Sequence, residues 1–104
     1  MTYRNQKLRD DARDQCCQNC GRSDGTVVSA HANGASMGKG FGHKASDALT
    51  AWLCFACHSW LDQGSGMDPT GRYTDSRADK WEMWARACLA TWVQRMTLGL
   101  VMCV

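Results

Sequence analysis

Cys54-Phe55-Ala56-Cys57-His58-Ser59-Trp60-Leu61-Asp62 is the stretch on which the reading of this chain turns. Two cysteines with two residues between them can grip one metal ion from a tight turn, and here a histidine follows at once and an aspartate one helical turn later. Upstream, Cys17-Gln18-Asn19-Cys20 repeats the spacing. Four thiolates in two such knuckles, separated by a long insert, suit a closed tetrahedral Zn(II) site. Cys17, Cys20, Cys54 and Cys57 are therefore the expected zinc ligands. Cys16 adjoins Cys17 and either could ligate, Cys17 having the better spacing to Cys20 and Gly21 supplying the turn. His58, beside Cys57, competes as a replacement for one cysteine.

The chain has 104 residues, room for one domain. A domain of this size buries only about two-thirds of its unfolded surface, so a metal staple adds needed stability. Hydrophobic content of 44% and charged content of 21% describe a globule and not a disordered tail. The net charge of +2 does not by itself name a nucleic-acid binder. Arg4, Lys7, Arg9 and Arg13 are interleaved with Asp10, Asp11 and Asp14, which reads as a solvated helical face before a phosphate contact. Seven cysteines without a signal peptide, the N-terminus being polar, point to a reducing cytoplasm rather than a disulfide scaffold. Cys16, Cys88 and Cys103 are then spare thiols. No apolar run approaches the ~20 residues that span a bilayer.

Residues from about Asn5 to Asp14 are expected to be helical, with Leu8 and Ala12 on one face. Thr26 to His31 reads as a short β-branched strand closed by the histidine, and Asn33 to Gly42 as a glycine-rich loop. Thr50 to Cys54 reads as a second strand, followed by a short helix from Phe55 to about Leu61 that Gly64-Ser65-Gly66 stops. Ser76 caps a long amphipathic helix to about residue 96, whose apolar stripe is Trp81, Trp84, Ala85, Cys88, Leu89, Trp92, Val93 and Met96. The stripe reads as a core-packing face rather than a base-stacking platform. Leu98, Leu100, Met102 and Val104 alternate, as in a short terminal strand or a partner-facing tail; an exposed strand there would point to a homodimer.

The order helix, knuckle, strand ending in histidine, loop, strand, knuckle and helix resembles the ββα-metal fold of HNH (His-Me finger) endonucleases. More closely, the chain is similar to a small phage- and prophage-encoded family of HNH-like nucleases. The resemblance rests on Leu8-Arg9-x-x-Ala12-Arg13, Ala30-His31, the glycine loop ending in Lys44-x-x-Asp47, and Cys54-x-x-Cys57-His58-x-x-x-Asp62. It covers most of the chain as far as Asp62. It implies an α+β fold: one zinc-stabilised HNH-like domain over residues 1–104, with a ββα core at about 26–63, an N-terminal helix and a C-terminal helix at about 76–96. It also implies a phage- or prophage-encoded enzyme in the bacterial host cytoplasm, hydrolysing DNA during recombination, replication or packaging, alongside the phage proteins of those processes.

Phosphodiester hydrolysis needs a base for water and a metal at the scissile phosphate. By the resemblance His31 is the base, where a histidine merely hydrogen-bonded beneath the loop is the plainer reading. His58 takes the metal-ligand position, and Asp62, four residues on, shares its helical face and completes a site for Mg(II) or another divalent ion. Asp47 stands where HNH enzymes usually carry the middle asparagine that braces the loop and orients the base, and an aspartate there could instead join the metal shell. Lys44 and Lys39 are candidate phosphate contacts, with Arg72 and Arg77 closer to ordinary surface. The position before the base histidine, often an acidic or histidine ligand, is Ala30 here. The alternatives are a catalytically inactive, zinc-stabilised nucleic-acid-binding or protein-interaction module, and thiol–disulfide exchange at either cysteine pair.

Overall fold

The computed structural model describes residues 5–31 and 47–99. In chain order they form α1 (Gln6–Asp10), β1 (Val28–His31), β2 (Thr50–Leu53), α2 (Phe55–Gln63) and α3 (Arg77–Thr97). The two strands pair antiparallel, with Val28 opposite Leu53, Ser29 opposite Trp52, Ala30 opposite Ala51 and His31 opposite Thr50. This is the expected α+β class, a two-stranded sheet with helices before, after and packed across it. The glycine-rich connection, with Lys39 and Lys44 in it, and the apolar run Leu100–Val104, with Cys103, lie outside the described residues.

The first helix is shorter than its sequence predicts. Asn5 caps it, its side-chain oxygen accepting from Lys7 N at 2.9 Å and Leu8 N at 3.4 Å. It ends at Asp10 although Lys7 and Arg9 in its last turn suit the helix dipole, because the C-cap residue Asp11 does not serve the helix. The Asp11 carboxylate goes instead to Arg95, whose Nε lies 2.6 Å away, and to Trp52 Nε1 at 2.8 Å. The chain then leaves through turns, with Asp14 at φ 64°.

All of β2 is buried, and its outer edge is closed by two other parts of the chain. Trp52 N–H donates to Thr91 Oγ1 of α3 at 2.9 Å, and Trp52 C=O accepts from Gln18 N of the first knuckle at 2.8 Å. An unpaired strand edge would leave buried polar groups unsatisfied. The sheet therefore ties knuckle and helix together through a single residue. α2 leaves β2 with only Cys54 between them and runs to Gln63, past the expected Leu61, so that Asp62 is helical. It ends at Gly64, where a Cβ would come 2.5 Å from the Trp60 backbone.

α3 begins as expected at the Ser76 cap, whose hydroxyl accepts from Asp79 N at 3.1 Å. Its inward face differs from the apolar stripe. Trp84 and Cys88 are buried as expected, but so are Met83, Ala87, Thr91 and Arg95, whereas Trp81, Leu89, Val93 and Met96 are exposed. A sheet of two four-residue strands is too narrow to cover a broad stripe. Hydrogen-bond demand turns the helix toward its polar side, where Thr91 serves Trp52 and Arg95 serves Asp11, the Leu8 carbonyl and Thr50 Oγ1.

Candidate metal centre and active site

The first knuckle is shaped by its own backbone. Cys17 N donates to Arg22 O at 2.8 Å, Gly21 N to Cys17 O at 2.9 Å, and Gly21 adopts φ 80°, which suits glycine. The fold sets this loop against the start of α2, where Cys54 is the N-cap and Cys57 lies in the first turn. The ligand atoms of Cys17, Cys20, Cys54 and Cys57 all lie within 4.8 Å of one another. Cys20 Sγ and Cys54 Sγ are 3.6 Å apart, far beyond the ~2.05 Å of a disulfide. A tetrahedron of thiolates at ~2.3 Å from Zn(II) has edges of about 3.8 Å, so this group could hold such an ion. Cys17, not the exposed Cys16, belongs to it.

The electrostatics suit a cation. Hydrogen bonding from the Cys57 thiol stabilises the Cys17 thiolate and lowers its pKa, while the same sharing, with burial, pushes Cys57 up. Burial likewise raises Cys20. Clustered thiols cannot all ionise without a compensating charge, which a dication provides. The positive end of α2 adds to it. Cys88, by contrast, lies apart in the core, pushed up to about 11 by burial.

A polar brace backs the cluster. Asn19 Nδ2 donates to Cys57 Sγ at 3.2 Å and to Asp68 Oδ2 at 2.9 Å. Asp68, 3% exposed, also accepts from Thr70 Oγ1 at 2.8 Å, Tyr73 N at 2.9 Å and Arg72 N at 3.0 Å. Burial opposes its ionisation, but the bonds from Asn19, Tyr73 and Thr70 outweigh it and lower its pKa to about 2. Arg72, expected to be closer to ordinary surface than to a phosphate contact, donates its Nη2 to the Asn19 carbonyl at 3.0 Å.

Two histidine–carboxylate pairs stand on other parts of the ββα unit. His31, the last residue of β1, places Nε2 2.8 Å from Oδ1 of Asp47, which is 0% exposed. The other oxygen of Asp47 accepts from Asn5 N at 2.6 Å and lies 3.0 Å from Arg9 Nε. On α2, His58 Nε2 is 3.3 Å from Asp62 Oδ2, both side chains partly exposed. The first pair sits at the Thr50 end of the sheet, whereas α2 leaves at the Leu53 end. Among the described residues, the four cysteines are the only group of three or more potential ligand side chains within reach of one ion.

Protein-family models, curated proteins and solved structures include no match to this chain.

The structure thus brings together the four expected cysteines, His31 with Asp47, and His58 with Asp62. It also recruits residues to which the sequence reading gave other roles. The charge pattern around Arg9 is that of a solvated face; its contact with Asp47 spans 38 positions, beyond any local pattern. Asn19 is a non-cysteine residue of the first knuckle, and Asp68 opens a run of turn residues. The run Asp68-Pro69-Thr70-Gly71 carries the signal of an aspartate bonding its own following backbone, but not of its contact with the knuckle.

Proposed function

We propose that this chain is a zinc-stabilised HNH-type, ββα-metal endonuclease domain that hydrolyses DNA phosphodiester bonds. The single observation that carries the reading is His31 at the end of β1, its Nε2 held 2.8 Å from a fully buried carboxylate. A general base needs one ring nitrogen fixed and the other open to water. His31 retains 27% side-chain exposure, so the ring is anchored without being sealed off. In this reading His31 takes a proton from water, the resulting hydroxide attacks phosphorus, the bond to the leaving oxygen breaks, and that oxygen is protonated from solvent.

Cys17, Cys20, Cys54 and Cys57 hold structural zinc and fix the start of α2. His58 and Asp62 offer one imidazole nitrogen and one carboxylate oxygen on one helical face, a donor pair that suits Mg(II) or another divalent ion with water and phosphate completing the shell. Such an ion would neutralise charge on a bound phosphate and stabilise a leaving oxygen; it would stand on α2, which leaves the sheet at the end opposite His31, so the DNA backbone would have to span both. A place in phage recombination, replication or packaging, in the bacterial cytoplasm, follows from the resemblance, as do phosphate contacts at Lys39 and Lys44. A zinc-stabilised binding module is favoured instead by Ala30, which is buried and offers no ligand beside His31.

Cleavage of plasmid and branched DNA by the zinc-loaded protein with Mg(II), Mn(II) or Ni(II), compared with His31→Ala, separates the two. The nuclease requires cleavage that falls about 10²-fold or more in the variant, the least a lost general base costs, with zinc content unchanged. DNA binding without cleavage by the wild type would establish the module.

A further inference from the structure

Arg9 reaches the proposed base through a carboxylate. Its Nε is 3.0 Å from Oδ2 of Asp47, whose Oδ1 is 2.8 Å from His31 Nε2. We propose that Arg9 is a positioning residue that sets the tautomer of His31 by holding Asp47 ionised. This rests on the reading of His31 as a base, but its first consequence is structural and can be seen without any reaction.

The chemistry runs from charge to proton placement. A carboxylate removed from water is costly unless a cation and hydrogen bonds compensate it. Asp47 is 0% exposed, and Arg9 brings a positive charge while Asn5 N–H donates to the same oxygen at 2.6 Å. An ionised carboxylate only accepts hydrogen bonds. Nε2 of neutral His31 must therefore carry the ring proton, leaving the Nδ1 lone pair as the basic site. Without the guanidinium, Asp47 can take a proton and donate it to Nε2, and the ring proton then moves to Nδ1. That tautomer has no lone pair left for water. Arg9 acts here through charge rather than through a directed bond: its side chain is 36% exposed, and its Nε, buried 3.0 Å from Oδ2 of Asp47, makes no hydrogen bond. The last turn of α1 carries it, which gives that short helix a task beyond packing.

Imidazole ¹⁵N chemical shifts of the zinc-loaded full chain test the proposal, with the His31 signals assigned from His31→Gln. The wild type should show protonated Nε2 and unprotonated Nδ1 once neutral. Arg9→Met keeps the stem and removes the charge, and should shift His31 toward the Nδ1-protonated form; Arg9→Lys should restore much of the wild-type signature. Cleavage should fall about 10- to 100-fold in Arg9→Met, less than full loss of a general base, through kcat rather than KM for DNA. A wild-type His31 protonated at Nδ1, or an Arg9→Met protein with wild-type shifts, overturns the proposal. If Arg9→Met does not fold, the wild-type and Arg9→Lys spectra decide. Shifts that follow the prediction in a protein that cleaves no DNA would sink the nuclease reading and leave the role of Arg9 standing.

Discussion

Asn19 touches two hydrogen-bonded networks at once. Its side-chain amide donates to a thiol of the cysteine cluster and to the buried Asp68, so Asn19 couples the orientation of Cys57 to a residue 49 positions beyond Asn19. Groups that hydrogen-bond to metal ligands typically change affinity by 10–100-fold when removed. Asn19→Ala should therefore weaken zinc binding by about that factor, measured by competition with a chromophoric chelator. Unchanged affinity would mean that the bond to Cys57 contributes nothing. The knuckle spacing made the cysteines legible as ligands, because four residue types at fixed separations carry the chemistry with them. Asn19 and Arg9 were illegible for the opposite reason: their roles depend on partners distant in sequence.

At the scale of the element, α3 is the instructive case. Its span, Ser76 cap and long amphipathic character follow from local pattern, yet its inward face does not follow from hydrophobicity alone. Thr91 is wholly buried, donating to Ala87 O at 2.7 Å and accepting from Trp52 N–H. Thr91→Val keeps the shape and removes the acceptor for a buried N–H, and should cost about 1–3 kcal/mol by urea denaturation. Thr91→Ser, which keeps the oxygen, should lose less. A valine variant as stable as the wild type would show that Trp52 N–H finds another acceptor. Trp84 and Trp92 make the same kind of link, their indole N–H groups reaching Ala30 O at 3.0 Å and Ala48 O at 2.8 Å. A polar strand edge, together with the apolar contacts of Met83, Trp84, Ala87 and Cys88, has chosen the face of the helix.

Across the whole molecule, a small sheet is held from two sides, by the Arg95 side chain and by the group of four cysteines that could hold a metal ion. Arg95 lies between Trp52 and Trp92, its Cζ 5.8 Å and 4.8 Å from their ring centroids, and pairs with Asp11, Leu8 O and Thr50 Oγ1. One side chain thus joins α3 to the α1 region and to β2. At the other end, the cysteine cluster joins the first knuckle to the β2–α2 junction. Zinc-finger peptides draw about 10–16 kcal/mol from their metal, and a domain of 104 residues has little core to replace a contribution of that size. Chelation of the zinc-loaded protein should abolish its cooperative thermal transition or lower the midpoint by more than about 10 °C, followed by circular dichroism. A transition indifferent to chelator would remove the cluster as a structural metal site.

By itself the sequence determined the ligand types, the α+β order of elements and the residues most suited to chemistry, because periodicity, caps and cysteine spacing act over a few residues. It did not determine where α1 ends, which side of α3 faces inward, or what supports His31. Those depend on buried polar groups finding partners. The tertiary structure decided them by bringing Asp11 to Arg95, Thr91 to Trp52, and Arg9 to Asp47.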